Sequence, residues 1–208
     1  MPVKIKICGI TNSEDATWAV NLGAHFLGFN FCAESPRKVS EKNAKEIISK
    51  LPPFISTVGV FVNADMPYLV SVVKKTGIVY AQLHGDESPE YIDQVKDSGV
   101  KVIKVFRIKH EFDLDTMTPF IENADYFLLD TYHPELPGGT GESFNWELAQ
   151  KVRDRFKKPF FLAGGLTAEN VAYAVEQVLP FGVDVCSGVE KSPRRKDYNK
   201  MKQVILSV

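Results

Sequence analysis

The chain has 208 residues, a formal net charge of −1 and 44% hydrophobic residues, enough apolar mass for a sizeable core in one large α/β unit or two small ones. Near-neutral charge gives no general attraction to nucleic acid or anionic membranes, and the basic run at 191–196 is short and local. No apolar run approaches the ~18 residues that span a bilayer, and the N-terminus reads into a strand rather than a signal peptide. The expectation is a cytoplasmic protein with no membrane or nucleic-acid partner.

The first element is a strand over 4–8, where Ile5 and Ile7 alternate with Lys4 and Lys6. Gly9 breaks it, and a helix over 14–22 follows, capped near Thr11, Asn12 or Ser13. The same phrase then repeats. Further strands are expected over 26–31, 55–62, 78–83, 101–107, 126–130, 159–163 and 183–186. Helices are expected over 41–50, 67–75, 89–98, 146–156, 168–178 and 197–208, with a weaker one over 114–121 limited by Pro119. Ser40, Ser88 and Thr167 stand where N-caps belong.

Eight strand–helix units of about 26 residues fill the chain and leave little room for a second domain. Near-continuous apolar strands such as Tyr126-Phe127-Leu128-Leu129 suit a parallel sheet covered on both faces. The fold class is therefore α/β, a single (β/α)8 TIM barrel over 1–208. A doubly wound open sheet would need a glycine fingerprint after strand one, where the chain has only Gly9-Ile10-Thr11.

Barrel chemistry collects at the C-terminal strand ends. In chain order these carry Cys8, Arg37, Asn63, His84, Arg107, Asp130, Gly164-Gly165, and Asp184 with Ser187-Gly188. Gly164, Gly165, Ser187 and Gly188 form two small loops after strands seven and eight, suited either to cradling a phosphate on backbone amides or simply to turning the chain. Cys8 reads as a buried small apolar residue or as a thiolate base. Asp130 follows an apolar run with no helix beginning immediately after it to be capped. That position suits a general acid at the barrel mouth or a loop-stabilising carboxylate.

Arg37 is a surface residue or a clamp for a carboxylate or phosphate. His84 is a ligand contact or a rim hydrogen bond, and Asp184 is a ligand contact or an interior polar group satisfied by its neighbours. The glycine-rich stretch 136–141 is a lid or a plain linker. Cys8, Cys32 and Cys186 are odd in number and widely spaced, so reduced thiols are expected and no metal site is read from them.

Taken together, Lys6-Ile7-Cys8-Gly9-Ile10-Thr11, Ser35-Pro36-Arg37, Gly59-Val60-Phe61-Val62-Asn63, Gln82-Leu83-His84-Gly85, Leu128-Leu129-Asp130-Thr131, Gly138-Gly139-Thr140-Gly141, Ala163-Gly164-Gly165-Leu166 and Val183-Asp184-Val185-Cys186-Ser187-Gly188-Val189-Glu190 resemble, in order and over essentially the full chain, the motifs of phosphoribosylanthranilate isomerase. The resemblance implies a cofactor-free, metal-free Amadori rearrangement in tryptophan biosynthesis. The substrate is N-(5-phosphoribosyl)anthranilate and the product 1-(2-carboxyphenylamino)-1-deoxyribulose 5-phosphate. By the same resemblance Asp130 is the general acid and Cys8 the general base. Arg37 is expected at the anthranilate carboxylate, His84 and Asp184 line the site, and the phosphate sits on Gly164, Gly165, Ser187 and Gly188.

A monomer or homodimer acting on a small phosphorylated molecule is expected. Two departures bear on the loop after strand eight: Arg194 stands where the family usually has glycine in Ser-Pro-Gly, and Cys186 where it commonly has serine. The alternatives are a non-enzymatic phosphate-ligand-binding barrel, which would not need both Cys8 and Asp130, and a related sugar-phosphate isomerase of histidine biosynthesis. The latter uses two aspartates, against which Cys8 argues. An indole-forming synthase would need lysines that the other strand ends here lack.

Overall fold

In the computed structural model, residues 2–108, 112–130 and 146–208 are described; the 136–141 stretch lies outside them. Eight parallel strands close into a barrel in sequence order. They are β1 (Lys4–Ile7), β2 (Phe26–Asn30), β3 (Ser56–Phe61), β4 (Tyr80–Leu83), β5 (Lys101–Arg107), β6 (Tyr126–Asp130), β7 (Phe160–Ala163) and β8 (Gly182–Val185). Helices α1 (Ser13–Leu22), α2 (Glu41–Ile48), α3 (Met66–Thr76), α4 (Pro89–Lys96), α5 (Trp146–Phe156), α6 (Val171–Val178) and α7 (Tyr198–Leu206) alternate with the strands. Between β5 and β6 the connector is a 3₁₀ helix, Leu114–Phe120, with Pro119 inside it. The α/β barrel expected from the strand count is the fold observed.

Local chemistry explains most of the boundaries. The side chains of Asn12, Ser40 and Ser88 accept hydrogen bonds from the third residue on, Asp15, Asn43 and Tyr91, and so open α1, α2 and α4. Gly23 (φ 107°) and Gly77 (φ 74°) close α1 and α3 in the left-handed region. One boundary departs from expectation. After β7 the chain turns through residues 168–170 and α6 starts at Val171, because the Asn170 side chain accepts from the Thr167 N–H at 2.8 Å and donates to the Gly165 carbonyl at 3.0 Å. Those bonds build a turn where a first helical turn was expected.

Two apolar layers follow from the strand parity. Outward residues such as Ile7, Phe29, Leu83, Phe127 and Leu162 pack under the helices in one continuous core. Inward residues Phe26, Val58, Ile103, Leu128 and Phe161 fill the barrel. The alternation of isoleucine and lysine in β1 is therefore not core against solvent. Lys6 points into the barrel and is fully buried, because register sets it opposite Asp184 on β8 and the two close a 2.7 Å ion pair.

After β8 a single 3₁₀ turn, Ser187–Val189, leads into a small antiparallel hairpin of β9 (Glu190–Ser192) and β10 (Arg195–Lys196) that the sequence pattern does not announce. Arg194, in its turn, has φ 74°, the conformation that glycine adopts without steric cost.

Candidate active site

Cys8 is the residue after β1 and Cys186 the residue after β8. These neighbouring strands are in register through Ile7 and Val185, and the Cys8 N–H donates to the Val185 carbonyl at 2.9 Å. The two side chains therefore stand on adjacent strand ends at the barrel mouth. Glycine makes room for them. A Cβ on Gly28 of β2 would lie 2.7 Å from the Cys8 sulfur, and one on Gly9 would lie 3.1 Å from the Cys186 sulfur and 2.8 Å from Arg37 Cδ. Gly9 also has φ 76°.

Below the thiols, the Lys6 ammonium pairs with Asp184 at 2.7 Å. Burial disfavours its charge, but the attraction of Asp184, with a smaller contribution from Cys8, outweighs that cost and raises its pKa. Asp184 is buried, and its Oδ1 has no hydrogen-bond partner among the described residues.

Above the thiols, Arg37 grips Glu190 with both Nε (2.8 Å) and Nη2 (2.6 Å). Lys196, also fully buried, reaches Glu190 at 3.2 Å, the Cys186 carbonyl at 3.0 Å and the Cys186 sulfur at 3.9 Å. Burial alone would push the Glu190 carboxyl upward, but the hydrogen bonds and charges of Arg37 and Lys196 hold it below the ordinary value. The carboxylate in the Arg37 fork is thus the protein's own, which leaves Nη1 as the guanidinium nitrogen not engaged by Glu190.

The two thiols are shifted in opposite directions. Donation from Cys8 lowers the pKa of Cys186 to about 7 against the cost of burial, with Lys196 and Arg37 assisting. That same hydrogen bond, and then burial, push Cys8 well above the ordinary thiol value, although Lys6 opposes them.

Across the mouth, Asp130 ends β6, with its Oδ2 3.1 Å from His84 Nε2. Each side chain is about one-fifth exposed. Arg107, paired with Asp130 in register, donates from Nη2 to the His84 carbonyl at 3.3 Å. The loop carrying His84 is anchored by buried Glu87, which accepts from the Asn63 and Gly85 N–H groups and pairs with buried Lys104 at 2.7 Å. Gly164 (φ 93°) and Gly165 (φ 63°) follow β7. A Cβ on Gly188 would strike the Leu166 carbonyl oxygen at 2.0 Å, so the loops after β7 and β8 lie against each other.

The residues singled out from the sequence therefore all occupy the C-terminal mouth, with Asp184 in the interior beneath it. Sequence reasoning missed Lys6, Gly28, Cys186, Glu190 and Lys196 as parts of the site. The one signal available was that Lys6, Cys186 and Glu190 fall inside the quoted motifs. Among the described residues no group of His, Cys, Asp and Glu could hold a metal ion, and no helix is long and apolar enough to cross a membrane.

At the barrel mouth a thiol follows β1 near a buried cation and a carboxylate beside an imidazole ends β6, groups of the kind that can remove one proton and deliver another. The family model described as N-(5'phosphoribosyl)anthranilate (PRA) isomerase matches residues 5–207. The N-(5'-phosphoribosyl)anthranilate isomerase of Pelobacter propionicus is 46% identical over 203 residues, covering 98% of this chain and 94% of that one.

A crystal structure of phosphoribosyl anthranilate isomerase in complex with reduced 1-(o-carboxyphenylamino)-1-deoxyribulose 5-phosphate superposes with a TM-score of 0.89 at 38% identity, over 99% of this chain and 98% of that one. Monomers generated from the dimeric enzyme of Thermotoga maritima give a TM-score of 0.87 at 36% identity, with the same coverage.

Proposed function

The chain belongs to the N-(5'-phosphoribosyl)anthranilate isomerase family of tryptophan biosynthesis, and from that premise we propose that Asp130 and Cys8 are the acid and base of its rearrangement. Asp130 gives a proton to the ribose ring oxygen as the C1–O bond breaks, and the anthranilate nitrogen lone pair forms the C1=N iminium. Cys8, as thiolate, removes the C2 proton, and the C2–H electron pair becomes a C1=C2 bond that neutralises the iminium. Tautomerisation of this enolamine moves the 2-hydroxyl proton to C1 and leaves the ketone.

The observation that carries this reading is the geometry of the mouth. A thiol over a buried lysine ends β1, and a carboxylate held by His84 ends β6. Lys6 lowers the cost of a thiolate beside it, and His84 fixes the direction of the Asp130 carboxyl. The remaining roles follow from placement. Arg37 offers Nη1 to the anthranilate carboxylate while Glu190 holds its other edge. Asp184 Oδ1, unpartnered among the described residues, accepts from a substrate hydroxyl. Backbone amides around Gly164, Gly165, Ser187 and Gly188 take the phosphate.

The whole barrel acts as one catalytic domain without a cofactor. Its substrate is a small phosphorylated molecule, in keeping with the phosphorylated ligand named for one solved relative. Incubation of the purified chain with freshly prepared phosphoribosylanthranilate, followed by fluorescence, should show conversion to the carboxyphenylamino-deoxyribulose phosphate. No conversion by folded protein would overturn the assignment.

A further inference from the structure

We propose that Glu87 is a positioning residue for the acid: with Lys104 it clamps the backbone of His84 and Gly85 and so holds the His84 imidazole against Asp130. This rests on the reading of Asp130 as the acid.

The segment His84-Gly85-Asp86 follows β4, and its glycine leaves the chain more freedom than any other residue would. The position of the His84 ring therefore depends on what holds the backbone. All four backbone polar groups of His84 and Gly85 are engaged. The His84 N–H donates to the Phe61 carbonyl at 2.9 Å, and the His84 carbonyl accepts from Arg107 Nη2 at 3.3 Å. The Gly85 N–H donates to Glu87 Oε1 at 3.1 Å and Oε2 at 3.0 Å, while the Gly85 carbonyl accepts from Lys104 Nζ at 2.7 Å.

These ties converge on Glu87. Its carboxylate also accepts from the Asn63 N–H at 2.9 Å and from Lys104 Nζ at 2.7 Å, so one side chain joins the ends of β3 and β4 to β5. Both partners are buried, with side-chain exposures of 4% for Lys104 and 2% for Glu87. Burying two charges is costly, and an apolar pair of similar volume is often as stable, so stability alone does not call for them. A carboxylate, being acceptor-only, takes two amides and an ammonium at once.

The surroundings leave the restraint to these bonds. A Cβ on Gly85 would lie 2.2 Å from Asn63 Oδ1, so the loop lies flush on the end of β3. It also borders a cavity of about 240 Å³, lined by His84, Lys104, Phe112 and Phe120 among others, where packing does not restrain it. The His84 ring at the head of this loop stands 3.1 Å from Asp130 Oδ2. A general acid works within hydrogen-bond reach of the atom it protonates, and small misplacements cost large factors in rate.

The test is a double-mutant cycle of Glu87→Gln with His84→Ala, read as single-turnover conversion of phosphoribosylanthranilate with enzyme in excess and as stability in urea. The glutamine amide turns one acceptor oxygen into a donor that faces other donors. E87Q alone should slow conversion about tenfold or more while product-analogue binding stays within about twofold of the parent. In the H84A background the same change should slow conversion by less than about twofold, whereas its loss of stability should be the same in both backgrounds. Equal slowing in both backgrounds, which a merely structural role would give, or a parental rate in E87Q or in H84A, overturns the role of Glu87.

Should E87Q not fold, Glu87→Gln/Lys104→Met, which leaves no unpaired buried charge, enters the same cycle with the same expected pattern and the same refutation. Parental turnover in Asp130→Asn would instead overturn the reading of Asp130 as the acid. An inactive D130N beside equal slowing in both backgrounds removes Glu87 alone.

Discussion

Replacing Lys6 by methionine isolates the most costly arrangement in the barrel. Its ammonium lies 2.7 Å from Asp184 Oδ2, with side-chain exposures of 0% and 7%. At an effective dielectric of ~20 a pair at that distance attracts by about 6 kcal/mol, which is largely offset by the desolvation of both ions. The pair as a whole therefore adds little, but breaking it on one side is expensive. Lys6→Met removes the cation and strands a buried carboxylate whose other oxygen already lacks a partner among the described residues. The expected loss is about 3–5 kcal/mol, against a total stability of roughly 5–15 kcal/mol for a domain.

In a chain of this size the corresponding fall in Tm is roughly 6–20 °C. Urea unfolding at pH 7 measures the loss directly. The double variant Lys6→Met/Asp184→Leu should recover most of it, since an apolar pair of similar volume is often as stable as the buried ions. The reasoning fails if Lys6→Met unfolds within about 1 kcal/mol of the parent, or if the double variant is no more stable than the single.

The remaining predictions concern the same mouth. The Glu190 carboxyl is held below its ordinary value of 4.5 despite burial, so its contribution to stability is present above that pH and lost as pH falls through the lower folded value. Glu190→Gln should be less stable by roughly 3 kcal/mol at pH 7, and the gap should narrow as pH falls below 4.5. A gap that stays constant in urea titrations across that range would count against it.

Gly28→Ala places a methyl 2.7 Å from the Cys8 sulfur and 3.1 Å from its Cα; it should cost about 1–3 kcal/mol and depress kcat by displacing the thiol. Unaltered kcat with unaltered stability would show that the space is not needed. At position 194, glycine relieves a left-handed backbone at a gain of about 1–2 kcal/mol but loses the Arg194 hydrogen bond to the Lys38 carbonyl at 3.0 Å. Arg194→Gly should therefore remain near parental stability while Arg194→Ala, which keeps the strain and loses the bond, falls below it. The reverse order in thermal unfolding would be decisive against this account.

The barrel was legible in the sequence because its signals are local. Period-two and apolar strand runs, Ser and Asn caps, and glycines at strand ends each act within a few residues, and eight repeats of them admit one closed arrangement. The positions of Cys8 and Asp130 at the barrel mouth were legible for the same reason, since each is placed by the end of its own strand. What stayed hidden depends on partners far apart in the chain.

Lys6 looks like the polar half of an amphipathic strand until β1 pairs with β8 and sets it against Asp184, 178 residues later. The Arg37–Glu190 fork spans 153 residues. Lys196 reads as part of a surface basic run, yet it is buried because a two-residue strand folds it back onto Glu190. The helix after β7 was placed early because Thr167 resembles a cap. Asn170 takes over the local hydrogen bonds and delays the helix by three residues.

The most direct test of the central claim is the turnover of phosphoribosylanthranilate by Cys8→Ala and Asp130→Asn, each first shown to be folded and to bind a product analogue. The account predicts that both keep binding and lose most of kcat. Near-parental kcat in both variants would contradict it.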